Sequence, residues 1–192
     1  MQNIILASQS PRRKQLLEWA NIPFEIIVHE TDESYPADLA IEQVPVYIAR
    51  QKALAVKQGL SISDRHQRTV LAADTVVILD NVIIGKPNDR EHAIEILQSL
   101  SGNHHQVITG VVILYGDKEV AFNETTDVSF HPLTLDQVAY YVDHYKPYDK
   151  AGAYAIQEWI GVIGIKHING DFYNVMGLPV SRVVQALNKL HS

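Results

Sequence analysis

The sequence predicts an α/β protein built on a mixed, twisted sheet with flanking helices. Three observations carry that prediction. Helix-period and strand-like segments alternate along the chain, without repeats or low-complexity stretches. Two strand pairs are joined by short turn signals, Asp80-Asn81 and Gly116-Asp117, which argues against an all-parallel sheet. No composition break or linker divides the 192 residues, so 1–192 reads as one domain, long enough to bury a substantial core.

The elements follow in order. Ile4–Ala7 is a short apolar run that reads as a buried strand. It feeds a helix signalled by Ser10 as N-cap and Pro11 at the first helical position, and ended by Asn21-Ile22-Pro23. Phe24–Val28 is a second strand candidate, and His29–Ala40 reads as an acidic loop. A helical pattern runs from about Ile41 to Gln58 and is closed by Gly59, and Ser61–Arg68 reads as polar connection. Val70–Leu79 and Val82–Ile84 form a predicted hairpin, and a helix follows from about Asp89 to Leu100. His105–Tyr115 and Val120–Phe130 form a second hairpin. Thr134 with Gln137 makes a capping box for a helix reaching about Tyr145. Val162–Ile168 reads as a late strand, and Val180, Val183, Val184, Leu187 and Leu190 stripe a final helix.

Composition bounds the function. The formal net charge of −6 offers no global basic field, which argues against a nucleic-acid binder, so any anion site must be a local cluster. Cysteine is absent, which excludes disulfides, thiolate zinc sites and cysteine nucleophiles. No apolar run approaches the roughly 20 residues that span a bilayer, and Met1–Ala7 lacks a basic n-region, so a cytoplasmic protein is expected.

The first local cluster is Arg12-Arg13-Lys14. The first turn of a helix favours acids, yet this one carries three cations, each disfavoured by roughly 0.3–1 kcal/mol if exposed and unpaired. A polyanion docked on the helix N-terminus reverses the sign of that penalty, whereas a solvated basic turn is the plainer reading.

Asp74 interrupts Val70-Leu71-Ala72-Ala73 and Val76-Val77-Ile78-Leu79, with only Thr75 for polar company. An ionised carboxylate there costs several kcal/mol unless paired, hydrogen-bonded or bound to metal. A structural aspartate at a bend and a metal ligand or general base both fit, and carboxylates suit hard cations such as Mg²⁺. Lys86 follows the hairpin partner of that strand, which brings it back toward Asp74. Lys52 reads either as a snorkelling helix lysine or as a site cation. Glu33 and Glu42 are further acidic candidates for a metal, although solvation is the simpler reading of both. His104-His105 lacks metal-ligand spacing, and no nucleophile elbow, Walker A loop or dinucleotide fingerprint is present. Asp149–Gln157 is rich in small residues that admit close backbone approach to a flat ligand. Gln157 can pair a donor and an acceptor with a base edge, and a tight structural junction fits that segment equally well.

These segments together resemble the Maf family of nucleoside triphosphate pyrophosphatases. The matching motifs are Ser8-Gln9-Ser10-Pro11-Arg12-Arg13 with Leu16-Leu17, Ala49-Arg50-Gln51-Lys52-Ala53, Ala73-Asp74-Thr75-Val76-Val77 and Gly85-Lys86-Pro87. Leu100-Ser101-Gly102 with His105 and Thr109-Gly110, then Asp149–Gln157 and Asn174-Val175-Met176-Gly177-Leu178-Pro179, complete a set covering nearly the whole chain. The resemblance implies a bilobed fold with a central cleft, related in shape to the inosine triphosphate pyrophosphatases. It implies hydrolysis of a nucleoside triphosphate to the monophosphate and pyrophosphate with a divalent cation, Mg²⁺ or Mn²⁺, and it makes a homodimer an expectation. By position, Asp74 matches the proposed catalytic base, and Ser8, Arg12, Arg13, Lys52 and Lys86 match the triphosphate site. Glu33 and Glu42 match acidic residues near that site, which with Asp74 form the expected metal set. Arg12, Thr75 and Gln157 match base-specificity positions, and Arg12 favours the dTTP/UTP branch over the methylated-GTP branch. Lys14 matches no functional position. The chain departs from many members at Tyr47-Ile48-Ala49 and at Glu158-Trp159, where glycine often follows the glutamine.

The chemistry is consistent with that assignment. A triphosphate repels an attacking hydroxide, so cations must neutralise its oxygens while one group positions water. Arginines offer bidentate forks and lysines compact point charges. A nucleotide-binding regulator of septum formation with little turnover is the alternative of a different class.

Overall fold

The computed structural model describes residues 3–191, so the reading of Met1 and Gln2 lies outside the described residues. Seven strands form one mixed sheet: β1 (Ile4–Leu6), β2 (Phe24–Ile26), β3 (Val70–Leu79), β4 (Val82–Ile84), β5 (His104–Tyr115), β6 (Lys118–Phe130) and β7 (Ile165–Asn169). Their order is β2-β1-β3-β5-β6-β7, with β4 beside β3. β1 is parallel to β2 and β3, whereas β3–β4 and β6–β7 are antiparallel. The mixed sheet expected from the hairpin signals is therefore present. Asp80 and Asn81 both take positive φ, 48° and 65°, the primed-turn geometry whose twist suits a two-residue hairpin.

The helices are α1 (Pro11–Trp19), α2 (Val44–Gly59), α3 (Ile62–Gln67), α4 (Arg90–Leu100), α5 (Leu135–Tyr145), α6 (Trp159–Gly164), α7 (Phe172–Met176) and α8 (Val180–His191). The chain divides into two compact units. The first comprises Met1–Asp74, Thr109–Glu124 and Gly177–Ser192, and the second Thr75–Ile108 and Thr125–Met176. Strands β3, β5 and β6 each run from one unit into the other.

In the first unit, Val46, Ala49, Ala53 and Val56 line one stripe of α2 and pack on Ile5, Val70, Ala72, Val112 and Leu114. Burying each large aliphatic side chain contributes roughly 1.5–3 kcal/mol. Gly110 on β5 permits a close approach of main chain to main chain. A Cβ there would lie 2.2 Å from the Val46 nitrogen and 2.3 Å from the Pro45 carbonyl carbon.

In the second unit, α5 starts with the predicted capping box. Thr134 Oγ1 accepts the Gln137 N–H at 3.2 Å, and the Thr134 N–H donates to Gln137 Oε1 at 2.9 Å. Its core includes an edge-to-face cluster of His105, Phe130 and Tyr154. His105 Nε2 and Tyr154 Oη share a hydrogen bond of 2.7 Å, while Nδ1 is buried without a partner among the described residues.

Several elements differ from the sequence expectation. α2 begins at Val44 after a 3-10 turn over Ile41–Gln43, because Pro45 lacks an N–H and suits the first helical turn. Ser61–Arg68 is not plain connection but contains α3, capped by Ser61 Oγ, which accepts the Asp64 N–H at 3.2 Å. It lacks an apolar stripe, and its Ile62 is 78% exposed. Within the expected strand Val162–Ile168, Val162 to Gly164 belong to α6 and β7 begins only at Ile165. A Cβ on Gly161 would fall 1.8 Å from the Ile156 carbonyl oxygen, an approach only glycine allows. The expected β2 is also shorter, ending at Ile26 rather than Val28.

Burial pulls the His105 pKa down from an ordinary 6.5 to about 4, with His104 a smaller cause. Between those values the unfolded chain binds a proton that the folded chain refuses. Stability is therefore full above pH 6.5 and falls as the pH drops to about 4, by about 3 kcal/mol from this group. His105→Gln should flatten that part of the Tm-against-pH curve. An unchanged slope in the variant would contradict the assignment.

Candidate functional site

Each unit carries part of the expected residue set. In the first, β1 delivers the chain to Ser8, and Ser10 begins α1. Ser10 Oγ accepts the Arg13 N–H at 3.5 Å, Pro11 takes the first position, and the first turn holds no acid. The Ser10 N–H donates to Ser8 Oγ at 3.2 Å. Arg13 then turns inward until only 9% of it is exposed. Its Nε donates to the Gly177 carbonyl at 2.8 Å and its Nη1 to Ser8 Oγ at 3.1 Å. Burial lowers the Arg13 pKa below its ordinary value, opposed by Asp74 and Glu33 and reinforced by Arg12. Arg12 and Lys14 are half-buried. The three cations of the helix start are thus not equivalent.

Lys52 is the centre of a second set. It stands on α2 beside the apolar stripe, and its Nζ donates to Asp74 Oδ1 at 2.7 Å. The same Nζ lies 2.7 Å from Glu33 Oε1. Lys52 and Asp74 are 18% and 15% exposed, whereas Glu33 is 53% exposed. Asp74 is therefore tolerated in an apolar strand because a lysine pairs with it. Lys52 is turned to that carboxylate and does not snorkel away. Glu33 belongs to the acidic loop, where the Ser34 N–H donates to Asp32 Oδ1 at 2.9 Å and shapes the chain next to it. Glu42 is exposed on the 3-10 turn before α2, where its carbonyl accepts from Asn123 Nδ2 at 2.8 Å. About 15 Å of helical rise separates it from Lys52. Tyr47, where the chain departs from its resembling family, lines a surface pocket with Thr31, Asp32, Ser34 and Gln51.

Thr75, Lys86 and Gln157 belong to the second unit. The β3–β4 ladder pairs Val77 with Ile84, so continuing that register would set Lys86 level with Thr75. Lys86 and Gln157 are exposed and Thr75 is half-buried. The Gly152 N–H donates to the Gly85 carbonyl at 3.1 Å, which seats the Asp149–Gln157 segment on this hairpin. Gly152 has φ 71°, and a Cβ there would meet Val77 Cγ2 at 2.9 Å. The small residues of the segment thus serve a tight junction here.

Sequence reasoning missed the contacts that hold these pieces. The Gly177 carbonyl that takes Arg13 Nε belongs to a turn with φ 115°, signalled by the Gly177-Leu178-Pro179 pattern. Tyr141, buried on α5, donates its hydroxyl to Glu158 and accepts the Ala155 N–H at 3.2 Å. Lys150, 8% exposed, pairs with Asp149 at 2.7 Å and approaches Glu158 at 3.7 Å. Nothing in the periodicity of α5 distinguishes Tyr141 from an ordinary core residue.

The donor set suits a hard cation. Asp74 and Glu33 converge on one ammonium, and Mg²⁺ binds one or two carboxylates while keeping water or phosphate for the rest. Among the described residues no group of three or more His, Asp or Glu side chains could hold a metal by itself.

A model of the Maf-like protein family matches residues 3–190. The chain belongs to this family. Relatives within it include the dTTP/UTP pyrophosphatase of Cytophaga hutchinsonii, 50% identical over 188 residues, which are 98% of this chain and 84% of that protein. The dTTP/UTP pyrophosphatase of Bacteroides thetaiotaomicron is 47% identical, with 97% and 95% covered. That of Parabacteroides distasonis is 48% identical, with 96% and 94% covered. Among solved structures, the Staphylococcus aureus Ham1 protein superposes at a TM-score of 0.46 with 16% identity, over 67% of this chain and 72% of that one. The Maf resemblance read from the motifs therefore holds over essentially the whole chain. No helix among the described residues is long and apolar enough to cross a membrane.

Arg13→Lys tests the buried fork. A lysine ammonium cannot serve the Gly177 carbonyl and Ser8 Oγ in one plane, so the variant should lose about 2–3 kcal/mol of stability. The midpoint of urea unfolding measures it, and an unshifted midpoint would show that the fork is dispensable.

Proposed function

We propose that this Maf-family chain hydrolyses nucleoside triphosphates, dTTP and UTP foremost, to the nucleoside monophosphate and pyrophosphate. The observation that carries the reading is the Asp74 carboxylate held by Lys52, in a chain half identical to a dTTP/UTP pyrophosphatase. Attack of water on the α-phosphorus forms the new P–O bond and breaks the bond to the bridging oxygen of the leaving pyrophosphate. Asp74 accepts the proton of the attacking water. Lys52 fixes the Asp74 carboxylate through one ammonium proton and meets Glu33 with a second, which leaves the third for a phosphate oxygen.

Arg12, at the positive end of α1, binds phosphate, while Ser8 and Arg13 shape and charge that end. Lys86 adds a further phosphate cation, and Arg12, Thr75 and Gln157 select the base. Asp74 and Glu33, with Glu42 as a further candidate, would hold Mg²⁺ or Mn²⁺. The cation supplies charge neutralisation of the phosphates and a lowered pKa for bound water.

Incubation with dTTP should release dTMP and pyrophosphate in equal amounts, whereas orthophosphate as first product would overturn the cleavage position. Asp74→Asn should lower turnover by roughly 10²–10⁴-fold while keeping the folded circular dichroism spectrum. Near-normal turnover in that variant would remove Asp74 from the mechanism. Chelation should abolish turnover in the wild-type protein, and added Mg²⁺ or Mn²⁺ should restore it. Turnover that survives chelation would exclude the cation.

A further inference from the structure

Gln157 emerges from a segment that is otherwise out of solvent. Gly152, Ala153, Tyr154, Ala155 and Ile156 are all buried, and Gln157 is exposed. The Glu158 N–H donates to the Ala155 carbonyl at 3.1 Å, closing a four-residue turn with Ile156 and Gln157 at its centre. Tyr141 closes the same turn a second time. Its buried phenol oxygen accepts the Ala155 N–H at 3.2 Å, and its hydroxyl donates to Glu158 Oε2. One side chain therefore ties the first residue of the turn to the last. The turn is braced further where Gly161 of α6 meets the Ile156 carbonyl without room for a side chain. Lys150 offsets the charge of Glu158 from 3.7 Å.

We propose that Tyr141 and Glu158 are positioning residues for nucleotide selection, holding the turn so that the Gln157 amide meets the base in one orientation. The proposal rests on the base-reading role given to Gln157 above. An amide distinguishes bases by where its donor and acceptor point, so a turn free to rock loses discrimination before it loses chemistry. A turn closed by one main-chain bond alone can rock. The Tyr141 bridge removes that freedom, and it does so through Glu158. Neither residue needs to touch the substrate.

Steady-state kinetics on dTTP, UTP and CTP test this in wild-type protein, Tyr141→Phe, Gln157→Ala and the double variant. Tyr141→Phe should lower the preference for dTTP over CTP in kcat/KM by about tenfold, the order expected for one directed hydrogen bond. The change should fall on KM, with kcat for dTTP held within about twofold. Gln157→Ala should do the same, and the double variant should lose no more than either alone. A Tyr141→Phe protein that keeps the wild-type preference, or loses all three nucleotides equally, overturns the proposal. So does a double variant whose losses multiply. Should Tyr141→Phe fail to fold, the Glu158 pair decides. Glu158→Gln retains an acceptor for the phenol and should keep the preference, and Glu158→Ala should lose it. The reverse result overturns the proposal. Wild-type protein that releases no pyrophosphate would sink the hydrolase reading itself. Active wild type with an unaffected Gln157→Ala would sink the positioning proposal and leave hydrolysis standing.

Discussion

The buried guanidinium of Arg13 is the constraint on which the first unit depends. It joins the exit of β1, through Ser8, to the Gly177 turn that precedes α8, so two distant stretches of chain share one planar cation. Such a charge is tolerated only with good hydrogen bonds and opposite charge nearby, and Asp74 and Glu33 provide that charge. Those same carboxylates meet on Lys52. Two cations and two anions thus balance locally in a protein whose net charge is −6. Arg12 stands half-buried in the first turn of α1, at the positive end of that helix.

Much of the framework was legible because its signals are local. Ser10 with Pro11, Thr134 with Gln137, and Asp80 with Asn81 each act within four residues, and each forms the predicted cap or turn. Asp74 was legible for a different reason. A carboxylate inside an apolar strand demands a partner wherever the chain goes, so the residue could be singled out before its partner was known. The hairpins fixed the mixed character of the sheet in the same local way.

What remained illegible depends on contacts between residues far apart in the chain. Three adjacent cations look alike in sequence, yet Arg13 alone is fully drawn inward, by a carbonyl 164 positions away. Val162–Ile168 reads as strand, and the contact of Gly161 with the Ile156 carbonyl accompanies a helical turn that takes in its first three residues instead. α3 has no buried face and so leaves no periodic trace. Lys52 was ambiguous because a helical lysine beside an apolar stripe has two places to send its ammonium. Only Asp74 and Glu33 decide between them.

Gly110 carries a consequence for how such a centre survives mutation. At that point α2 rests on β5 main chain against main chain, with no side chain between Gly110 and the Pro45–Val46 peptide. The depth at which α2 lies is therefore set by backbone thickness and not by the volumes of core residues. Lys52 rides on that helix and Asp74 on the same sheet. Drift among the surrounding valines and alanines can loosen the packing, but the hard stop at Gly110 keeps the helix from settling deeper and leaves the span between ammonium and carboxylate in register.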